Sequence, residues 1–479
     1  MQRQFLIPIA ALLAAATATT IVAATPRDAA EVSTGFVADV LCSQTFVSNL
    51  DPDRVFAETS EAMPGVGLIS WAIGVEVDRA RREVRTSLLG TGRSRAVYRE
   101  GLGCTLDHDD ATIDTELPPA AAMPPSALPD IAGPQIVAPA DPALARAIER
   151  VFAEPDRPPL RHTRAVVIVK DGRVIAERYA PGVGVETQLL GYSATKSVVS
   201  ALIGVLVRQG KLAVGQPAPV ASWQDPNDPR HAITVDHLLR HTAGLDVGSS
   251  LLATLGSAFD KVNRMKFIER DQAGFAEAAS LEATPGRVWN YNDANYLVLS
   301  RLIRDAAGGH AADVLRFARQ ELFAPLGMRH VTLQFDATGT PEGASEMLAT
   351  ARDWARFGML YLDDGIVGGK RILPEGWARY SATPTPGAWV GYGAGWWTNL
   401  GDSYGANKRI GCGMPRDAIH ARGQFGQYVI VVPSERLVVA RFGVTGGDND
   451  IEGVSRLVAD VIAATKARAS ARSTPPLAN

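Results

Sequence analysis

Cysteine is scarce, with three residues in a chain of 479, so a disulfide-framed scaffold is excluded. The cysteine spacings fit no zinc-ligand pattern. Net charge is almost absent, at −3 with a pI near 6.3, and the chain lacks the basic excess that nucleic-acid binding draws on. Charged residues reach only 21% against 46% hydrophobic ones, which excludes disorder along the whole length. Internal repeats are missing. No Gly-x-Ser-x-Gly elbow occurs, so an α/β-hydrolase reading fails at its first requirement. Long uncharged apolar runs are rare too, and the one present lies at the start.

That run extends from Phe5 to Ala24, with Arg3 as the only charge before it. Val22 and Ala24, just before Pro26 and Arg27, suit signal-peptidase cleavage, so residues 1–24 are expected to be a secretory signal. The run is also about long enough to span a bilayer, which leaves an uncleaved membrane tether as the alternative. The expected location is therefore periplasmic or secreted. In an oxidising compartment Cys42 and Cys104, which bracket a short segment, can pair and leave Cys412 over; three unrelated buried thiols are the other reading.

Four regions follow from composition and periodicity. After the signal, residues 34–106 are expected to form a small β-rich accessory unit, with strands at Val75–Asp78, Val84–Leu88 and Ala96–Tyr98. Residues 107–142 hold eight prolines scattered among alanines and acids, a density that prevents regular structure and predicts an extended linker or wrapping arm. The main unit spans 143–468. It opens with a helix over 142–152 and a hairpin turning at Asp171-Gly172. It closes with a second hairpin, Gln427–Val432 and Leu437–Phe442, and a helix over about 450–467. Helical stretches fill the middle. Strands at both ends imply one antiparallel sheet flanked by helices, an α+β arrangement with a helical subdomain.

Ser193-Ala194-Thr195-Lys196 is the sharpest chemical feature. The chain has only eight lysines, and this is its one Ser-x-x-Lys. Three residues apart on a helix, the two side chains lie one above the other. The helix dipole and burial among Val198, Val199, Leu202 and Ile203 would both disfavour the ammonium, and a dry site is expected to strip Lys196 of its proton and make it a base. Gly191 can supply the turn into the helix. Tyr291, ahead of a helix over Ala294–Ala306, offers a phenol that can relay a proton near a lysine. His420-Ala421-Arg422-Gly423-Gln424 leads into the closing hairpin, where the Gln424 N–H could join that of Ser193 in an oxyanion hole.

Together these elements resemble the β-lactamase-related serine hydrolases, the family of class C β-lactamases and D-alanyl-D-alanine peptidases. Ser193–Lys196 matches its first motif and Tyr291-Asn292-Asp293 its Tyr-x-Asn. Leu238-Leu239-Arg240-His241-Thr242-Ala243-Gly244-Leu245, Pro285-Gly286 and Ala351–Gly358 add support. The subgroup it resembles most is that of 6-aminohexanoate-dimer hydrolase-like proteins. The resemblance covers residues 150–465. It implies the β-lactamase fold, catalytic Ser193, Lys196 and Tyr291, and oxyanion amides at Ser193 and Gln424. Two positions depart from the pattern. Ala421-Arg422-Gly423 stands where the family has Lys-Thr-Gly or His-Thr-Gly, which argues against β-lactam or D-Ala-D-Ala chemistry unless Arg422 binds a substrate carboxylate. Asp293 replaces asparagine, and would either hold Lys196 as a cation or meet an amine on the substrate.

Among Trp389, Trp396 and Trp397, Trp397 is expected to line the cleft. His237 and His241 could ligate zinc, but no glutamate lies between them in the H-E-x-x-H sense and no third ligand is evident, so no metal and no cofactor are expected. The expected activity is hydrolysis of a small-molecule ester or amide through an acyl-serine. The alternatives are peptidase or β-lactamase chemistry, or a silent penicillin-binding-like receptor.

Overall fold

The computed structural model describes residues 25–108, 125–251 and 256–473, with side chains described to residue 467. The expected signal and tether, residues 1–24, lie outside the described residues, as do 109–124 of the expected linker. Among the described residues no helix is long and apolar enough to cross a membrane.

Asp171 and Gly172 both take left-handed backbones, with φ of 49° and 79°, which is what a two-residue hairpin turn demands. They join Thr163–Lys170 to Arg173–Tyr179. This hairpin ends a six-stranded antiparallel sheet in the order Trp397–Thr398, Ile419–Gly423, Gln427–Val432, Leu437–Gly443, Thr163–Lys170, Arg173–Tyr179. The two chain ends of the unit thus meet inside the sheet. Both faces are covered, which is why the strands read as unbroken apolar runs. Val166, Ile168, Ile430 and Val439 pack on Leu144, Ile148, Leu457 and Val461 of helices Pro142–Phe152 and Ile451–Ser473. Val167, Val169, Val431 and Val438 face a second core with Val198, Leu202, Trp354 and Phe357. Each such side chain contributes about 1.5–3 kcal/mol.

The middle of the chain is helical, with two small sheets added, one of them the two-stranded pair Ile366–Val367 and Lys370–Arg371. Gln188–Leu190, Met347–Thr350 and Val331–Leu333 form a three-stranded sheet. The closing helix also runs past the expected end, to Ser473.

The first unit departs from a β-rich one. A helix, Pro26–Cys42, starts before residue 34. Thr25 and Asp28 form its capping box, and Val32, Val37, Val40 and Leu41 are its buried apolar positions. Helices Pro52–Ala62 and Pro64–Ile69 follow, each with proline in its first turn. Only then come the four strands Ile73–Asp78, Glu83–Leu88, Thr91–Arg99 and Gly103–Leu106. A disulfide joins Cys42 to Cys104. Buried polar bonds fasten the unit to the rest: Ser43 Oγ donates to Gln334 Oε1 at 2.9 Å, Cys104 N to the same oxygen at 2.8 Å, and Arg164 to Gln44 and to Glu58. Residues 125–141 wrap along the sheet edge, where Val174 N donates to Ile131 O and Glu177 N to Val137 O.

Candidate active site

The strand Gln188–Leu190 delivers the chain to Ser193. Gly191 is needed for room rather than for a turn. Its φ is an ordinary −80°, but a Cβ there would lie 2.3 Å from the Trp354 ring. The left-handed residue is Tyr192, at φ 45°. Ser193 then sits in a 3₁₀ turn, Tyr192–Ala194, that runs into the helix Thr195–Arg208. Gly423 closes onto this turn from the sheet, for a Cβ there would meet Gly191 O at 2.0 Å. The Tyr192 ring meets Phe425 edge-on at 5.2 Å, which ties the turn holding Ser193 to the turn holding Gln424.

Lys196 is 1% exposed and all three of its hydrogens are used. Nζ donates to Ser193 Oγ at 3.1 Å, to Asp293 Oδ1 at 2.7 Å and to Ala344 O at 2.7 Å. The niche is dry, as expected, and it also holds a countercharge, the Asp293 carboxylate.

Asp293 precedes the helix Ala294–Ala307 and is buried. Its second oxygen faces Lys266 Nζ at 3.4 Å. Burial alone would raise its pKa. The Lys196 and Lys266 ammonium groups outweigh that and hold it down at about 2. Both carboxylate oxygens are thus taken by lysines. Of the two roles open to Asp293, the geometry fits holding Lys196.

The Tyr291 ring centroid stands 5.0 Å from Lys196 Nζ, and the side chain is buried. Its carbonyl accepts from Ser250 N at 2.8 Å and Ser249 Oγ at 3.1 Å, which fixes the loop. Around it lie Tyr392 at 5.6 Å, Trp397 at 5.9 Å and His241 at 4.3 Å between ring centroids. Of the three tryptophans only Trp397 meets Tyr291. Trp396 is fully buried against Phe357 and Tyr361, and exposed Trp389 faces Tyr404.

Strand alternation settles where Arg422 points. Ala421 joins the core that contains Val198, while Arg422 shares the other side with Tyr428. Its guanidinium stacks 5.0 Å over Trp397 and donates to Asp448 O at 3.0 Å. It supports the Trp397 wall. The two histidines considered for zinc are engaged with the backbone: His237 Nδ1 accepts from Thr234 N at 3.2 Å and His241 Nδ1 from Asn292 N at 3.4 Å. Burial, and then Lys196, keep His241 neutral, its pKa well below the usual range. Among the described residues no group of three or more His, Cys, Asp or Glu side chains is placed to hold a metal ion.

Sequence reasoning missed Lys266 and gave no role to His241 or Tyr392. The only available signal was the rarity of lysine, since nothing near Lys266 in sequence points to Asp293.

Comparison with known proteins bears on the family and the fold. The family model described as Beta-lactamase matches residues 150–456. The 6-aminohexanoate-dimer hydrolase of Paenarthrobacter ureafaciens is 24% identical over 224 residues, 45% of this chain and 56% of that enzyme, so the chain spans about half of that relative. An uncharacterized protein of Alkalihalophilus pseudofirmus is 21% identical over 61% of this chain and 88% of its own. The crystal structure of a penicillin-binding protein homolog from Caulobacter crescentus superposes with a TM-score of 0.52 at 18% identity, covering 70% of this chain and all of that one.

Proposed function

The chain belongs to the beta-lactamase family of hydrolases, and from that premise we propose that it cleaves small esters or amides through an acyl group carried on Ser193. The observation that carries this reading is Lys196 Nζ at 3.1 Å from Ser193 Oγ with the Tyr291 ring beside it. Ser193 Oγ attacks the substrate carbonyl carbon. Lys196 and Tyr291 are the proton-handling pair: once the pair has itself given up one proton to solvent, it takes the hydrogen that Oγ loses and delivers it to the departing alcohol or amine. The Ser193 and Gln424 amide N–H groups donate to the oxyanion. Water then attacks the acyl carbon, gives its proton back through the same pair, and releases the acid. Trp397 walls the substrate side beside Tyr291.

We place the protein in an oxidising compartment, periplasmic or secreted. The apolar run Phe5–Ala24 and the Cys42–Cys104 bond both support that reading. Alanine at 421 and the outward Arg422 favour small uncharged acyl groups over β-lactams and D-Ala-D-Ala peptides.

A serine-directed phosphonate should label the protein one to one at Ser193 by mass spectrometry, and Ser193→Ala should take no label. In a panel of short p-nitrophenyl esters, 6-aminohexanoate dimer, D-Ala-D-Ala peptides and nitrocefin, the short esters should turn over fastest. Rapid nitrocefin cleavage would replace this reading with a β-lactamase one. A wild-type protein refusing every probe would point to a receptor.

A further inference from the structure

We infer that Lys266 is a positioning residue of the active site: by sharing the Asp293 carboxylate with Lys196, it sets how tightly the nucleophile's surroundings hold their protons. This rests on the hydrolase reading above and goes beyond it, since Lys266 touches neither Ser193 nor a substrate group.

The geometry is a relay of alternating charge. Lys196 donates to Asp293 Oδ1 at 2.7 Å, and Lys266 Nζ stands 3.4 Å from Oδ2. Lys266 comes from a different element, the helix Lys261–Phe267, and its side chain is only 11% exposed. A hydrogen bond to Ser345 Oγ at 2.7 Å aims the ammonium. Ser345 follows Ala344, whose carbonyl takes another Lys196 hydrogen. One short segment therefore braces both lysines.

A buried lysine needs a reason to be there. Asp293 supplies one, and three more carboxyl groups face Lys266: Glu342 and Glu346 on the Ala344 segment, and Asp39 on the first helix. Burial raises all three above their ordinary values, and Glu346 pushes Asp39 and Glu342 further, the latter to about 8. Asp293 remains an anion because it has two cations. On the Lys196 side the other facing groups are Tyr291 and Tyr296, with Nζ 5.0 and 5.8 Å from their ring centroids, and neutral His241; Tyr192 faces Glu346.

The consequence has a definite sign. With Lys266 present, the Asp293 charge is divided between two ammonium groups. Without it, the whole charge bears on Lys196 and on the Ser193–Tyr291 surroundings. Protons there are then held more tightly, and a higher pH is needed to release them.

The test is the pH profile of ester hydrolysis by the full chain, with active sites counted by phosphonate labelling. Lys266→Met should move the ascending limb of kcat/KM to higher pH by about half a unit or more, and cut kcat near neutral pH about threefold or more with KM little changed. Lys266→Arg should restore the wild-type limb. If the methionine variant does not fold, Lys266→Gln, which keeps a donor for Ser345, must show the same shift. A limb that coincides with wild type, with only fewer active sites, would make Lys266 structural and overturn the inference. A wild-type protein inert toward every ester would instead overturn the hydrolase reading.

Discussion

Tyr192 shows how much of the site is set one residue at a time. A left-handed backbone costs a non-glycine residue about 1–2 kcal/mol, and here it is held immediately before the nucleophile by a ring contact with Phe425. The residues flanking Lys196 carry equally specific expectations. Tyr291→Phe keeps the ring beside Nζ but removes the oxygen, so kcat should fall by about 10²–10⁴ with folding intact, measured on a short ester with circular dichroism as control. Asp293 titrates in the folded protein at about 2 against an ordinary 3.8, so its ion pairs add stability above that ordinary value and lose it as pH falls toward 2. The gap is worth roughly 2 kcal/mol. Denaturant midpoints should drop between pH 4 and 2 in wild type, and Asp293→Asn should lack that portion of the drop. Ser193 and Lys196 stood out in the sequence because a lone Ser-x-x-Lys opening an apolar helix is a local pattern. Lys266 could not, because its partner is 27 positions away on another helix and nothing periodic links them.

Among the elements, the contact between the strand Ile419–Gly423 and the turn at Gly191 is a tight constraint on the site. Two glycines meet there, and neither has room for a methyl group. Gly423→Ala must push its strand away from the nucleophile's turn, so we expect a loss of about 1–3 kcal/mol, read from denaturant midpoints. A fall in phosphonate labelling rate should accompany it. Hairpins were legible at this scale because Asp-Gly and a proline turn are short-range signals. The helix Pro26–Cys42 was not anticipated, although Thr25, Pro26 and Asp28 form a capping signature at its start. The strand patterns downstream drew the whole unit toward a β assignment. Arg422 was undecidable for another reason: alternation gives two faces, and only the partner strand tells which one is the cleft.

At the level of the whole molecule, the front unit and the hydrolase unit share polar bonds, a core and a charge cluster. The Cys42–Cys104 bond closes a separation of 62 residues, for which loop-closure entropy gives about 4 kcal/mol. Reduction, or Cys42→Ser, should therefore lower Tm measurably. Activity should fall with it, because Asp39 lies one helical turn from Cys42 and faces Lys266. The overall α+β plan was legible in the order of strands and helices, since an antiparallel sheet built from both chain ends leaves few topologies. The involvement of the front unit was not, for it rests on side chains such as Gln44, Glu58 and Asp39 that carry no motif.

Anyone trimming the gene meets this directly. A clone begun at residue 143 would keep every matched family residue, yet it would leave Arg164 stripped of Gln44 and Glu58 and Gln334 without Ser43 or Cys104. Lys266 would also face one carboxyl group fewer. The smallest piece worth purifying for screening or crystallisation therefore starts at the first helix, not at the family boundary.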